Sequence, residues 1–286
     1  MNGRRERDGR RERGGGVSER WRVHGLSVEG YRHRQSGLPC QDAWGHADAG
    51  SATVLAVADG AGSRSRSDEG ARLAVDLATE RFARRAARHC PPGEAVHTLL
   101  TDAFREVCEE FLLRTGGEPY DFATTLTVVV LTPAWLGHLS VGDGFVVLRA
   151  GRTGDGERQF HLLPRPAAVS EYSNETVFLT SPGAEDRLST ACVRDDGVDG
   201  VLLSTDGLAQ AALGGRPPVP NASFTSAVLR SLDTPGDDPE GDEDDLAALL
   251  RSDRLTALNA DDKTLLRAVR TAGTVRTART ARTAGA

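Results

Sequence analysis

A short apolar run that ends in a carboxylate constrains this chain more than any other stretch: Val54-Leu55-Ala56-Val57-Ala58-Asp59-Gly60-Ala61-Gly62-Ser63. The run is uncharged, partly β-branched and brief, as a buried strand requires. Asp59 sits where that strand leaves the core. Gly60 and Gly62 let the backbone turn sharply and approach whatever Asp59 holds. A buried strand, an exit carboxylate and a glycine turn can together hold a metal ion on a rigid scaffold. Taken alone, Asp59-Gly60 reads more readily as a polar turn that caps the next helix. The rest of the chain has to decide between the two.

The device recurs. Val201 to Ser204 is a second apolar run, ending in Thr205-Asp206-Gly207. Gly142-Asp143-Gly144 separates two strand-like segments, 135–141 and 145–149, and reads as a hairpin-like turn. Asn259-Ala260-Asp261-Asp262-Lys263-Thr264 is a polar turn before a last strand at 265–269, and Asp42 comes from the loop before the first run. No histidine accompanies these aspartates at metal-ligand spacing. An all-oxygen set selects Mg2+ or Mn2+ over zinc. Several converging carboxylates repel one another unless a cation sits among them. Two ions about 4 Å apart can generate hydroxide and clamp a phosphoryl group for in-line attack.

Around these turns the pattern changes twice. Trp21, Val23 and Val28 fit a first strand, residues 31–43 read as a loop, and a strand is expected from about 53 to 58. Ser67-Asp68-Glu69 reads as a helix N-cap with two acids behind it. Ala71, Ala74, Val75, Ala78 and Phe82 share one face of that helix, and Arg84, Arg85 and Arg88 read as its solvated basic end. A second helix runs from about Glu94 to Gly116-Gly117, with its stripe at Val96, Leu99, Leu100, Ala103, Val107 and Phe111. Strands follow at 122–131, 135–141, 145–149, 159–163, 176–179, 190–193 and 201–204. Helices are expected at 208–213, 222–232 and 246–258, with an acidic surface loop at 234–245. There is no regular strand-helix alternation, which argues against a doubly wound parallel sheet. An α+β domain of antiparallel sheets covered by helices fits.

Residues 1–20 are rich in Arg, Gly and Glu and read as a disordered basic tail. Residues 271–286 are Thr-Ala-Arg low complexity, a second tail, which leaves one domain at 21–270. The formal net charge of −6 argues against a nucleic-acid coat. No apolar run is long enough to cross a bilayer, and the arginine- and glycine-rich start lacks the hydrophobic segment of a secretory signal. Cys40, Cys90, Cys108 and Cys192 form no C-x-x-C pair, so free thiols in a reducing cytoplasm are expected. Gly60-Ala61-Gly62-Ser63 lacks a lysine at P-loop spacing, which excludes a nucleotide cradle.

From about Trp21 to Val269 the chain resembles the PPM-type, metal-dependent protein serine/threonine phosphatases, the type 2C phosphatases. Gln41-Asp42, Val57-Ala58-Asp59-Gly60-Ala61-Gly62, Ser140-Val141-Gly142-Asp143-Gly144, Leu203-Ser204-Thr205-Asp206-Gly207-Leu208 and Asp261-Asp262-Lys263-Thr264 are similar to that family's acidic motifs and stand in its order. Pro39-Cys40-Gln41-Asp42-Ala43 and Asn174-Glu175-Thr176-Val177-Phe178-Leu179-Thr180 look like a bacterial subgroup.

The resemblance implies a central sandwich of two antiparallel β-sheets with helices on both faces, and two metal ions, Mn2+ or Mg2+, at one edge with a third, weaker one. It implies that Asp59 bridges the ions, that the Gly60 carbonyl binds one, and that Asp206 and Asp261 bind the other. Asp143 would serve the third. Asp261 stands three residues before Thr264, as the family's ligand does, and is preferred to Asp262. Asp42 would act through metal-bound water, and Arg34 stands at the phosphate clamp, where a planar fork holds two phosphate oxygens. The activity implied is attack by metal-bridging hydroxide on phosphoserine or phosphothreonine in proteins. Phosphoproteins and a cognate serine/threonine kinase would be the partners of a cytoplasmic, monomeric signalling enzyme. The alternative is a pseudophosphatase that binds phosphoproteins or kinases.

Three positions depart from the pattern. Ala61 stands where eukaryotic relatives have a histidine proposed to protonate the leaving alkoxide; metal-bound water is the expected donor instead, with His33 a second choice. Gly144 replaces the usual Ser, and Asp262 replaces Asn.

Overall fold

The alternation along the central strand sets the layers. In a computed structural model, which describes residues 20–88, 92–116, 118–166, 176–194, 197–234 and 239–271, Ala52–Asp59 forms strand β3. Val54, Ala56 and Ala58 face one cluster of apolar side chains, whereas Leu55 and Val57 face another. Both faces of β3 are therefore covered, which is why its sequence is apolar throughout rather than alternating.

Two five-stranded sheets carry the fold. β2 (Asp42–Ala49), β3, β4 (Leu126–Leu131), β5 (Leu136–Val141) and β8 (Ser189–Val193) make one, in the order β2-β3-β4-β5-β8. β1 (Arg20–Val28), β12 (Lys263–Thr271), β9 (Val198–Ser204), β6 (Phe145–Arg152) and β7 (Arg158–Leu162) make the other, in the order β1-β12-β9-β6-β7. All strand pairs in both are antiparallel. Leu55, Val57, Val129 and Leu131 from the first sheet pack against Val146, Leu148, Val201, Leu203, Leu266 and Ala268 from the second. β10 (Leu213–Gly214) and β11 (Val219–Pro220) form a small separate ribbon.

Helices cover each outer face. α2 (Ser67–Ala86) and α3 (Glu94–Arg114) lay the stripes expected of them on the β3 sheet, with Phe82, Phe104 and Phe111 fully buried. α4 (Ala209–Ala212), α5 (Ala222–Asp233), α6 (Pro239–Leu250) and α7 (Asp253–Leu258) cover the other sheet through Ala212, Val228, Leu250 and Leu255. α5 and α7 begin where sequence caps them: Asn221 accepts a hydrogen bond from the Phe224 amide and Ser252 one from the Leu255 amide. This is the four-layer α-β-β-α sandwich the sequence led us to expect.

Several local expectations fail. Residues 31–43 are not simply loop: α1 (Tyr31–Ser36) is a short helix ended by Gly37 at φ 66°, and β2 starts at Asp42. β2 escapes notice because its exposed edge carries His46 and Asp48 in place of apolar residues. Ser67 is the first residue of α2, not its cap; its hydroxyl donates to the Arg64 carbonyl. Arg84 and Arg85 are not merely solvated, since Arg84 pairs with Glu80 and Arg85 ties α2 to α3 through Asp102 and Glu106. Residues 119–122 form a 3-10 turn, so β4 begins only at Leu126.

The segment 142–144 is no hairpin. β5 pairs with β4 and β8, whereas β6 pairs with β9 and β7, so the turn crosses from one sheet to the other. It passes tightly over β4: a Cβ on Gly142 (φ 98°) would lie 2.5 Å from the Thr125 methyl. Residues 176–178 are not a strand. The expected acidic loop is in part α6, because Pro239 opens a helix whose Leu246 and Leu250 reach the core. The expected tails lie outside the described residues, apart from Arg20 and Thr271, which pair with each other in β1 and β12. Cys90, Asn174 and Glu175 also lie outside them. Among the described residues no helix is long and apolar enough to cross a membrane.

Candidate functional site

Strand parity aims the carboxylates. Asp59 continues the Leu55–Val57 face of β3, which looks into the sandwich, and leaves it at the rim. In the antiparallel register Asp42 of β2 stands directly opposite Asp59. Thr205 continues the Val201–Leu203 face of β9 in the same way, and its hydroxyl donates to Asp42 Oδ2 at 2.7 Å. That bond joins the two sheets at the rim. Thr125 at the start of β4 takes the Asp59 amide on its Oγ1 (2.9 Å) and gives its own amide to the Asp59 carbonyl (2.9 Å). The backbone of Asp59 is thus fixed on both sides before its side chain binds anything.

Gly60 must be glycine here: a Cβ would lie 2.6 Å from the Ser67 carbonyl oxygen and 2.8 Å from that of Gln41. Asp206 opens the 3-10 turn after β9. Asp143 lies on the crossing turn, where Oδ2 accepts from Thr176 Oγ1 at 3.0 Å while Oδ1 is buried without a partner. Gln41 Oε1 is likewise buried and unpaired.

Asp261 and Asp262 part company. Asp262 is 4% exposed and fully engaged: Oδ1 accepts from the Gly30 amide (2.6 Å) and His33 Nδ1 (2.8 Å), and Oδ2 from the Gln41 amide (2.6 Å). Asp261 is exposed, and among the described residues its carboxylate accepts one hydrogen bond, on Oδ1 from the Asp262 amide at 2.9 Å, which leaves Oδ2 available. Two glycines grip this turn. A Cβ on Gly30 would lie 2.3 Å from the Asp261 carbonyl carbon, and one on Gly207 would lie 1.8 Å from the Asp262 carbonyl oxygen. Lys263 is 2% exposed and donates from Nζ to the Asp261 carbonyl (2.7 Å). Arg34 is exposed on α1; its Nη1 donates to the Glu29 carbonyl (2.8 Å), and its charge reaches Lys263.

The electrostatics record how close the acids are. Burial, then Asp42, Asp206, Asp143 and Asp261, push the Asp59 carboxyl well above its ordinary range. Asp42 is pushed up to about 8, by burial first and by Asp262 and Asp261, against the Thr205 and Thr264 hydrogen bonds. Asp206 is pushed up to about 6 by burial, Asp143 and Asp261, against a hydrogen bond with Asp59. Burial also raises the Cys40 thiol, which makes it a poor nucleophile. The donors fit a hard divalent cation: all are oxygens, they burden one another with negative charge, and Asp143 Oδ1 is orphaned. Among the described residues no three His, Cys, Asp or Glu side chains stand in finished ligand geometry.

Thr125, Thr205, Lys263, Gly30 and Gly207 escaped sequence reasoning as site residues. Only Thr205, Gly207 and Lys263 carried a signal, since each adjoins a motif aspartate.

Comparison with known proteins agrees with this architecture. The family model for protein phosphatase 2C matches residues 29–251. The chain belongs to the protein phosphatase 2C family, and so to the serine/threonine phosphatases among the hydrolases. It is 29% identical over 225 residues to serine/threonine-protein phosphatase 3 of Escherichia coli (strain K12), over 74% of this chain and 83% of that one. Its fold is similar to the catalytic domain of the serine/threonine protein phosphatase PstP solved in complex with two manganese ions, at TM-score 0.57 and 20% identity over 88% of this chain and 99% of that one. The serine/threonine phosphatase Stp1 from Staphylococcus aureus is also similar, at TM-score 0.57 and 16% identity over 94% of this chain and 99% of that one.

Proposed function

We propose that this chain hydrolyses phosphoserine and phosphothreonine in proteins with two divalent cations, Mn2+ or Mg2+. Asp59, the Gly60 carbonyl, Asp206 and Asp261 would hold them, with Asp143 beside a third, weaker position. When bound, such cations neutralise phosphoryl oxygens and lower the pKa of water at the site. The chain's own groups supply the rest. Asp42, steadied by Thr205, faces Asp59 and orients the attacking water. Arg34 offers the free edge of its guanidinium to two phosphate oxygens. Its exposure on α1 suits a substrate as large as a protein.

The observation that carries this reading is the arrival of Asp42, Asp59, Asp143, Asp206 and Asp261 at one rim of the sandwich from separate strand ends. The substrates we infer are phosphoproteins made by a cognate serine/threonine kinase, met by a monomer in the cytoplasm as part of signalling. The test is phosphate release from a phosphothreonine peptide with Mn2+, measured beside Asp59→Ala. Activity that disappears in Asp59→Ala supports the reading. No wild-type activity above that variant in saturating metal overturns it, and calorimetry showing no metal uptake would point to a phosphoprotein-binding pseudophosphatase.

A further inference from the structure

The loop between Gly60 and α2 carries two arginines that fare differently. Arg66 is committed: its Nε and Nη2 donate to the two carboxylate oxygens of Glu69 at 3.0 and 2.6 Å, and its guanidinium lies 4.2 Å from the centre of the Phe122 ring. Arg64 is exposed, and among the described residues its guanidinium has no hydrogen bond and no ion pair.

The backbone beneath Arg64 is nonetheless held. The Arg64 amide donates to the Ala61 carbonyl (2.8 Å), which closes a turn and keeps the two Cα atoms within about 7 Å. The Ala61 amide donates to the Ala123 carbonyl (2.9 Å), and the Arg66 amide to the Asp121 carbonyl (3.1 Å). The Ser67 hydroxyl donates to the carbonyl of Arg64 itself (3.3 Å). Ala61 directly follows Gly60, whose carbonyl belongs to the cation set above. A Cβ on Gly62 would lie 3.7 Å from Gln41 Oε1, so the loop also rests against the residue before Asp42. A guanidinium without an acid thus stands one turn from the site. Because its backbone is already ordered, less freedom is lost when an anion arrives.

We propose that Arg64 reads acidic residues that flank the phosphorylated residue of the substrate, a proposal that rests on the phosphatase reading above. The planar fork of an arginine meets a carboxylate with two parallel hydrogen bonds. The net charge of −6 disfavours an acidic peptide at a distance. Salt confines such effects to about 8 Å, so the cation at the rim decides. Arg64 acts on the peptide beside the phosphoryl group, not on the reacting atoms, and is a specificity-determining residue.

The test uses two phosphothreonine peptides with Mn2+, one flanked on both sides by glutamates and one by lysines. The ratio of their kcat/KM values is compared in wild type, Arg64→Glu and Arg88→Glu. Arg88 is exposed just past the far end of α2, about 30 Å from the loop, and Arg88→Glu makes the same charge change there. An exposed ion pair is worth about 1.4–5-fold, and reversing one charge turns attraction into repulsion. In Arg64→Glu the glutamate-to-lysine ratio should therefore fall about fivefold or more, through KM rather than kcat, and Arg64→Ala should fall in between. Arg88→Glu should stay within about twofold of wild type. In about 1 M salt, where screening acts over about 3 Å, the three ratios should converge.

An unchanged ratio in Arg64→Glu overturns the proposal, as does an equal fall in Arg88→Glu. A wild type inactive on both peptides and on p-nitrophenyl phosphate overturns the phosphatase reading instead. Fluorescence anisotropy of the labelled glutamate-flanked peptide then reads Arg64 directly. Weaker binding to Arg64→Glu than to Arg88→Glu supports the proposal, and equal binding overturns it.

Discussion

Replacing Gly207 by alanine should disable the site without touching a carboxylate. The new Cβ would lie 1.8 Å from the Asp262 carbonyl oxygen, and real Cβ atoms essentially never come within 3.0 Å of such a neighbour. The neighbouring atom is backbone, so no side chain can swing aside. The 261–262 turn, gripped from its other side by Gly30, must retreat by about 1.2 Å, and a displacement of about 1 Å in a reacting constellation costs about 10²-fold. Overpacking of this kind also costs about 1–3 kcal/mol of stability. Gly154→Ala is the control, because nothing lies within 4 Å of a Cβ there. The assays are urea melts of the metal-free proteins and Mn2+-dependent hydrolysis of p-nitrophenyl phosphate. Gly207→Ala should lose about 10²-fold in kcat/KM and about 1–3 kcal/mol, while Gly154→Ala stays near wild type. If the two variants match in both assays, the turn is not held as described and the reasoning fails.

Three further outcomes follow from the same contacts. Asp42 is pushed up to about 8 and Asp59 well above its usual range, so cation binding should expel protons and tighten as pH rises from 6 to 8; calorimetry in buffers of different ionisation heat reads this, and identical heats would refute it. His138 is buried between the sheets with Nδ1 unpaired, and burial lowers it to about 4, below the ordinary value near 6.5. Its neutral form then contributes stability that is whole above about pH 6.5 and is lost as pH falls to about 4, by about 3 kcal/mol, so His138→Leu should flatten that part of a pH series of urea melts relative to wild type. Thr205→Val removes the donor to Asp42 Oδ2 and should cost about 1–3 kcal/mol in unfolding free energy, whereas the exposed Thr153→Val should cost little.

Much of this was legible because burial leaves plain marks on a chain. β3 is covered on both faces, so it had to be apolar throughout. α2 and α3 are covered on one, so their stripes had to repeat at helical spacing. β2 was illegible because it is an edge strand with His46 and Asp48 outward. The turn at 142–144 misled for another reason. Gly-Asp-Gly permits a tight reversal and an inter-sheet crossing alike, and only the partners of β5 and β6 distinguish them.

The sequence by itself determined the family, the two-sheet sandwich with its helical faces, and the aspartates that strand ends would deliver. The aspartates and the antiparallel α+β pattern depend on residue type and spacing along the chain, and the sandwich followed from the family resemblance that the motifs carry. Which acid does what was decided only by tertiary structure. Asp261 and Asp262 are neighbours of the same type, yet three amide and imidazole donors from residues 30, 33 and 41 occupy both oxygens of Asp262, whereas Asp261 stays exposed with only Oδ1 engaged. Those donors lie more than 200 residues away in the chain. No local pattern can register a hydrogen bond that exists only once two sheets have closed on each other.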